Sequence, residues 1–224
     1  DMIILHIFRK NSSIKVKKIR VEYEDKPLNI EDLDTNPLEQ FNVWFQIAID
    51  AEVNEANAMA ISTISEEGTP RSRYVLFKDI VDNKLVFYSD YGSSKGREME
   101  NNPNISGLFF WPELHRQIRL EGVVSKTSDE VSDNYFASRP RGAQLSAIAS
   151  SQSTEIEGRE TVEDRIKELE IEFEGKDIPR PDNWGGYAID ISFWEFWQGR
   201  RSRTHDRFIY VKNDNSWEIT RLSP

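Results

Sequence analysis

The sequence predicts an α+β fold, with an antiparallel β-barrel as its core and helices packed on the outside. Short strand-like runs follow one another at close spacing through the middle of the chain, separated by turn residues, which favours an antiparallel meander over a parallel sheet. Amphipathic helical segments precede and follow these runs, and further strands end the sequence. With 224 residues, a single core can remove enough surface from water to be stable without covalent links.

The first regular element is a helix predicted over 37–52. Asn36 is a suitable N-cap, and the proline that follows it fits the first helical position. Leu38, Phe41 and Phe45 then recur at helical spacing, which indicates one buried face.

The segment before this helix differs in character from the rest of the chain. Residues 1–30 mix basic and acidic side chains, and we predict that they form a mobile arm. No internal repeat or low-complexity tract divides the remainder. We therefore predict one domain over 31–224.

Strands are predicted wherever β-type residues run between turn signals. Their ranges are 58–65, 71–78, 84–89, 104–111, 115–126, 186–197, 208–212 and 217–222. Helices are predicted at 129–138, 143–150 and 161–174. Thr161 is the predicted N-cap of the last helix, because Asp164 follows three residues later.

The charge balance and the residue counts exclude several kinds of site. The chain has 29 Lys and Arg against 39 Asp and Glu, a formal charge of −10, which argues against general binding to nucleic-acid phosphates. It has no cysteine and three widely separated histidines, so we predict neither a disulfide scaffold nor a metal site. No apolar run is long enough for a membrane helix, and the start does not look like a signal peptide, so we expect a cytoplasmic protein.

The densest basic segment of this acidic chain is 196–208. It holds four arginines together with His205 and Asp206, beside the apolar side chains of Trp194 and Trp197. Grouped guanidinium ions repel one another unless an anion accepts their hydrogen bonds, and phosphate or carboxylate oxygens match them in pairs. We therefore predict an anionic ligand here. The alternative is a hairpin whose charges face water.

Two further segments fit an anion. Residues 91–98 combine a glycine turn, two serines and Lys95 at the start of a helix, where free N–H groups bind phosphate. The alternative is an ordinary capped helix with an exposed lysine. In the strand over 71–78, the period of two places Arg71 and Arg73 on one face. Charges that protect a sheet edge would explain them equally well.

Several ordered motifs link these segments across most of the chain. They include Arg-Tyr-Val-Leu-Phe-Lys at 73–78, Glu-Phe-Trp-Gln-Gly at 195–199 and Arg-Thr-His-Asp-Arg at 203–207, with shorter matches at 87–89, 92–95, 100–103, 116–117, 135–141, 151–153, 184–186 and 221–224. In these motifs the chain resembles the pyridoxamine 5′-phosphate oxidase family. The resemblance implies an FMN-binding split β-barrel and a homodimer with FMN at the subunit interface. It also implies oxidation of pyridoxamine or pyridoxine 5′-phosphate by O₂ to pyridoxal 5′-phosphate, with release of H₂O₂.

The resemblance also implies roles for individual residues. Those expected to bind FMN are Arg73, Tyr74, Val75, Leu76, Phe77, Lys78, Tyr88, Ser89, Lys95, Gln117, Gln152, Ser153, Trp197 and Arg207, with Arg73 and Lys95 reaching its phosphate. Those expected to bind the substrate are Lys78, Tyr135 and Arg139 at its phosphate, Arg203 and His205 over its ring as the catalytic pair, and Arg20 and Tyr23 as a lid from the arm.

Two positions depart from the family pattern. Ser94 stands where the family usually has an arginine, and Ala143 stands where it often has a serine. Both departures remove a phosphate contact that the resemblance would otherwise imply. Two alternatives therefore stay open: a related split-barrel flavin oxidase of the phenazine-pathway type, and a non-catalytic module that binds FMN or pyridoxal phosphate.

Overall fold

The computed structural model describes residues 21–24, 26–214 and 216–224. Within these residues the chain forms one antiparallel sheet that closes into a barrel. The strands are β1 (Ala58–Ile64), β2 (Pro70–Val81), β3 (Lys84–Asp90), β4 (Asn104–Trp111), β5 (Arg116–Lys126), β6 (Trp184–Gln198), β7 (Asp206–Asn213) and β8 (Ser216–Leu222). The predicted α+β barrel is confirmed, and each predicted strand matches an observed one to within a few residues.

The barrel closes because β6 is long enough to pair with β3 along its first part and with β7 along its last part. The sheet order is β3-β2-β1-β4-β5-β6-β7-β8, and an added pairing of β3 with β6 joins the ends of a six-stranded ring. The first part of β6 pairs with β3 and the last part pairs with β7, so β7 and β8 extend beyond the ring. The register shifts at Glu121 and Gly122, where a side chain at position 122 would overlap the carbonyl oxygen of Asp190.

The helices are α1 (Pro37–Asp50), α2 (Ser94–Asn101), α3 (Asp129–Ser138), α4 (Arg141–Ala149) and α5 (Glu160–Glu172). Helix α1 begins as predicted, with the Asn36 side chain accepting a hydrogen bond from the N–H of Leu38. Its buried face includes Phe41 and Trp44, which pack against aromatic residues of the barrel core such as Phe109 and Phe196.

The predicted cap of α5 is wrong. The helix begins at Glu160 with Arg159 in the N-cap position, and Thr161 lies inside its first turn. The N–H of Thr161 itself donates to the carbonyl oxygen of Gly158. The backbone turn at Gly158 starts the helix earlier than the Thr161 and Asp164 pattern indicates.

Helices α3, α4 and α5 form a second, smaller apolar cluster outside the barrel. Its buried members are Phe136, Leu145, Leu169, Ile178 and Trp184. Trp184 is the first residue of β6, so this cluster is continuous with the sheet and fixes where the helices sit on it. No helix in the described part of the chain is long and apolar enough to cross a membrane.

Candidate functional site

A cavity of about 520 Å³ lies between β2, β3 and the helical cluster. Its lining combines cations, hydroxyls and aromatic rings: Leu76, Lys78, Tyr88, Ser89, Asp90, Tyr135, Ser138, Arg139, Pro140, Ala143, Ser146, Ala147, Ser150, Gln152 and Trp184. Seven of the residues predicted as FMN or substrate ligands, at 76, 78, 88, 89, 135, 139 and 152, therefore share one cavity. Its volume lies in the range typical of small-molecule sites.

Stacked aromatic rings form one wall of this cavity. Tyr88 and Tyr135 stack with centroids 3.7 Å apart, and Trp184 lies parallel to Tyr88 at 5.6 Å. The guanidinium carbon of Arg139 lies over the Trp184 ring, 4.5 Å from its centroid. Burial raises the pKa of Tyr88 to about 12, with a further contribution from Asp79, so its hydroxyl keeps its proton at neutral pH.

Arg139 is the clearest sign of an anion-binding site in this wall. Its Nη1 atom is buried and has no hydrogen-bond partner among the described residues. Burial lowers the pKa of the guanidinium, although an arginine stays charged under ordinary conditions. A buried donor without an acceptor is costly, and a ligand oxygen would satisfy it.

The start of α2 forms a second polar cluster beside the cavity. The Ser93 side chain caps the helix by accepting from the N–H of Gly96, which both the anion-site prediction and the capped-helix alternative allow. Lys95 Nζ donates to Ser89 Oγ at 2.8 Å and also to Gln152 Oε1. Burial, and then charge repulsion from Arg73, lower the pKa of Lys95.

Arg73 is held in this region by two partners. Its Nη2 donates to Glu98 Oε2 at 2.8 Å, and its Nη1 donates to the hydroxyl of Thr63. Glu98 also accepts from Arg71 Nη1 at 3.1 Å. The carboxylate of Glu98 is buried, with 4% of its surface exposed.

The alternation predicted for β2 is confirmed. Val75 and Phe77 point into the barrel core, whereas Tyr74 and Leu76 point outward. The side chains of Val75 and Phe77 are therefore turned away from a ligand outside the barrel, and the N–H and carbonyl oxygen of Phe77 are bonded to Asn57. Tyr74 is 75% exposed, and Ser153, also exposed, has a left-handed backbone with φ of 69°.

The remaining predicted residues form a second group on β5, β6, the turn before β7, β7 itself and the segment before α1. His205 packs against Trp197 with ring centroids 4.6 Å apart, and Tyr23 packs against both His205 and His115. Gln117 is the register partner of Trp197 in the β5–β6 pair. Arg20 lies outside the described residues.

Carboxylates of the protein itself neutralise part of the basic segment 196–208. Asp206 accepts from Arg221 Nη1 at 2.6 Å and from Arg200 Nη1 at 3.3 Å. Arg207 Nε donates to Glu195 Oε1 at 2.7 Å. Arg203 and Arg201 are both exposed and form no ion pair within the described part of the chain, so these two arginines of the segment are not neutralised by a carboxylate of the protein.

The protonation state of His205 follows from its surroundings. Its Nδ1 accepts a hydrogen bond from the N–H of Arg200 at 3.0 Å. Burial, and then repulsion from Arg203, lower the pKa of the imidazole. The ring is therefore neutral at pH 7, and the proton is assigned to Nε2, which can donate to a ligand.

The structure thus brings the predicted residues together in two groups. In the first group, positions 76, 78, 88, 89, 135, 139 and 152 line the cavity. Lys95 donates to Ser89 and Gln152 of that lining, whereas 73–75, 77 and 153 belong to neighbouring segments and do not line it. The second group is 23, 117, 197, 203, 205 and 207. Across the described residues, no hydrogen bond, ion pair or ring contact joins the two groups.

Three residues of the site were missed or undervalued in the sequence. Glu98 looks like an ordinary helix carboxylate, and Trp184 appears only as part of a motif. His115, one of the three widely separated histidines, is the ring against which Tyr23 packs at 4.4 Å. Their partners are distant in sequence, so no local pattern could have identified them.

Comparisons with known proteins show the family to which the chain belongs. A family model described as pyridoxamine 5′-phosphate oxidase matches residues 45–172, and one described as the pyridoxine 5′-phosphate oxidase C-terminal dimerisation region matches residues 184–224. A pyridoxine/pyridoxamine 5′-phosphate oxidase of Cyanothece is 44% identical over 95% of this chain and 100% of its own length. Another, from Burkholderia mallei, is 48% identical over 92% of this chain and 97% of its own.

Solved structures show the same fold. PhzG from Burkholderia lata, in complex with tetrahydrophenazine-1-carboxylic acid, superposes with a TM-score of 0.84 at 29% identity, covering 90% of this chain and 100% of that one. An FMN binding protein related to pyridoxamine 5′-phosphate oxidase, from Nostoc punctiforme, gives 0.69 at 16% identity over 86% of this chain and 100% of that one.

Proposed function

The chain belongs to the pyridoxamine 5′-phosphate oxidase family, and we propose that it uses FMN to oxidise pyridoxamine or pyridoxine 5′-phosphate with O₂, giving pyridoxal 5′-phosphate and H₂O₂. The observation that carries the proposal is the pairing of two anion sites at one cavity. The unpartnered donor of Arg139 marks one, and the Lys95 cluster marks the other. A phosphorylated cofactor and a phosphorylated substrate require two such sites.

The residues present fit FMN. Lys95 and Arg73 supply charge-assisted donors for its phosphate, and Ser89 adds a hydroxyl. The outward-facing edge of β2 supplies backbone groups beside them. The matched relatives named above include an FMN binding protein, which supports the same cofactor here.

When bound, FMN supplies the two-electron acceptor that the protein's own side chains lack. The protein residues bind and orient the substrate. Arg139, Lys78 and the Tyr135 hydroxyl face the cavity and suit a phosphate monoester. Burial raises the pKa of Tyr135, so its phenol remains a hydrogen-bond donor at neutral pH.

The catalytic pair belongs to the second group of residues. Arg203 offers a free guanidinium and His205 offers Nε2–H to the substrate ring. These two groups would position the substrate and would not act as strong acids or bases. Positioning is sufficient for a reaction whose rate depends on the alignment of the reacting groups. Tyr23, together with Arg20 of the arm, would cover the site and exclude water.

The proposed enzyme is a homodimer. The match of residues 184–224 to a dimerisation region supports this assembly. The separation of the two residue groups within one chain is a second reason to expect a dimer. The second group of one copy would complete the cavity of the other, with FMN between them.

Two expectations stay predictions from the sequence: that the arm over 1–30 is mobile, and that the protein is cytoplasmic.

The experiment is an absorption spectrum of the purified protein before and after anaerobic addition of pyridoxamine 5′-phosphate. The expected result is a flavin band that bleaches and returns when O₂ is admitted. A flavin-loaded protein whose band does not change would contradict the reaction.

Arg203→Gln should nearly abolish turnover and leave the flavin content intact.

A second candidate is an oxidase for a phenazine-type ring, favoured by the similarity to PhzG over 90% of the chain. The two functions differ in their need for phosphate. Turnover of pyridoxamine 5′-phosphate but not of pyridoxamine would support the first function. Equal turnover of both would favour the second, because Arg139 would then have no phosphate to bind.

A further inference from the structure

Glu98 stands out as a buried carboxylate that the proposed reaction does not use. It lies on α2, one turn after Lys95, with its side chain directed at β1 and β2. Three donors converge on it: the Thr63 hydroxyl, Arg73 Nη2 at 2.8 Å and Arg71 Nη1 at 3.1 Å. Burial raises the pKa of Glu98, but these hydrogen bonds outweigh it and hold the pKa below its usual value.

The contacts around Glu98 form a closed triangle. Thr63 donates to Glu98 and accepts from Arg73, while Arg73 also donates to Glu98 directly. These contacts occupy one hydrogen on each Nη atom of Arg73. Because a guanidinium has five N–H donors in a rigid plane, the three that remain are fixed in direction.

The triangle also fixes α2 relative to the barrel. Lys95 and Glu98 are on the same short helix, whereas Arg73 is on β2. The bond from Glu98 to Arg73 therefore sets the position of the two cations relative to each other. Without the carboxylate, Arg71, Arg73 and Lys95 would repel one another, and the long arginine side chains would turn toward solvent.

We propose that Glu98 is a positioning residue for cofactor phosphate: it holds Arg73 beside Lys95 so that both cations meet the same phosphate group. This inference rests on the proposed FMN function and adds to it a residue that does not touch the cofactor. A change at Glu98 should affect the binding of the phosphate and not of the flavin ring, because the triangle of Glu98, Thr63 and Arg73 includes a residue proposed to bind the phosphate.

The experiment compares the affinity of the apoprotein for FMN and for riboflavin, which lacks the phosphate, by flavin fluorescence. Glu98→Gln keeps the shape but places an amide NH₂ group among three donors. We expect FMN to bind about tenfold more weakly, the value of one lost charge-assisted contact, and riboflavin to bind as before. Glu98→Asp, which keeps the charge, should recover part of the loss.

Glu100→Gln is the matched control, since it makes the same charge change on the same helix at an exposed position. It should leave both affinities unchanged. A double-mutant cycle with Arg73→Ala then tests whether Glu98 acts through Arg73. In the Arg73→Ala background, Glu98→Gln should have no further effect on the ratio of the two affinities.

Several results would overturn the inference. If Glu98→Gln weakens FMN and riboflavin equally, Glu98 only maintains the fold. If FMN binds as tightly as before, or more tightly, the carboxylate does not position Arg73. A wild-type protein that prefers FMN no more than riboflavin would instead contradict the proposed phosphate site itself, so the two failures are distinguishable.

Discussion

At the scale of single residues, His205 shows how surroundings set a protonation state. Its folded-state pKa lies below the ordinary value of 6.5 because of burial and of Arg203. The unfolded chain then takes up a proton that the folded protein resists, so stability should decrease as the pH falls below about 6.5. An NMR titration of the imidazole protons should give a midpoint below 6.5.

Replacement of Arg203 tests the electrostatic part of this shift. Arg203→Gln removes the repulsion and should move the midpoint upward, toward 6.5. Arg201→Gln is the control, because Arg201 is exposed on the same turn and is not among the groups that shift His205. A midpoint that is unchanged in Arg203→Gln would assign the whole shift to burial.

Arg139 gives a prediction about substrate binding. Arg139→Gln should raise the KM for pyridoxamine 5′-phosphate by tenfold or more, since a hydrogen bond to a charged group is worth about 1.5–3 kcal/mol. The FMN content should not change. Arg141→Gln is the control, because Arg141 donates to the carbonyl oxygens of Phe173 and Lys176. An unchanged KM in Arg139→Gln would remove Arg139 from the phosphate site.

At the scale of elements, the position of α3 depends on Arg180. Arg180 donates to Asp129 at 2.8 Å and to Asp133 at 2.6 Å on α3, and to the carbonyl oxygen of Trp184 at 2.7 Å on β6. Its side chain is 9% exposed. These bonds join the helix that carries Tyr135 to the strand that carries Trp184. Arg180 therefore fixes the relative position of two of the aromatic residues that line the cavity, although it does not line the cavity itself.

Arg180→Ala should therefore lower the free energy of unfolding by about 2 kcal/mol, as expected for a buried cation with several hydrogen bonds, and should raise the KM. Urea denaturation measures the first effect. Arg165→Ala on α5 is the control: its ion pairs with Glu168 and Glu172 are exposed and should contribute less than about 1 kcal/mol. Equal losses in the two variants would contradict a special role for Arg180.

At the scale of the whole molecule, the division of the site into two groups has a direct consequence for mixed dimers. Arg139→Gln damages the first group and Arg203→Gln damages the second. If one copy completes the cavity of the other, a heterodimer of the two variants has one intact site and one doubly damaged site. Co-expression should then recover roughly one quarter of wild-type activity at low substrate, given random pairing in a twofold dimer.

The same experiment distinguishes the alternative assembly. If each chain held a complete site, every site in the mixture would carry one defect, and co-expression would recover nothing beyond the two variants alone. Homodimers of each variant, measured separately, give the baseline.

Much of the fold could be predicted from periodicity and turn signals. The period of two places Val75 and Phe77 on one face of β2, and the structure shows that this face points inward. The start of α1 follows from Asn36 and the proline after it. The start of α5 could not be predicted as well, since the backbone at Gly158 competes with the capping pattern at Thr161. Local signals give the type of element more reliably than its first residue.

The sequence supplied candidate residues for the site but not their arrangement. The basic and aromatic motifs identify the FMN and substrate ligands as candidates, yet they carry no information on which of them meet. Arg180 contacts Asp129 across 51 positions, and Arg73 contacts Glu98 across 25. Such pairs depend on how strands and helices pack, which local sequence does not encode.

Local patterns were enough to predict the α+β barrel and the concentration of arginines in an acidic chain, since periodicity, turn residues and side-chain charge act locally, and ordered motifs were enough for the resemblance to an FMN-dependent oxidase family. The packed fold was needed to learn that Asp206 and Glu195 neutralise Arg200 and Arg207. It was also needed to learn that Arg139 keeps a donor with no partner among the described residues, and that the candidate residues form two separate groups. The physical reason is that burial and charge pairing depend on distances in space, and barrel closure by β6 sets those distances.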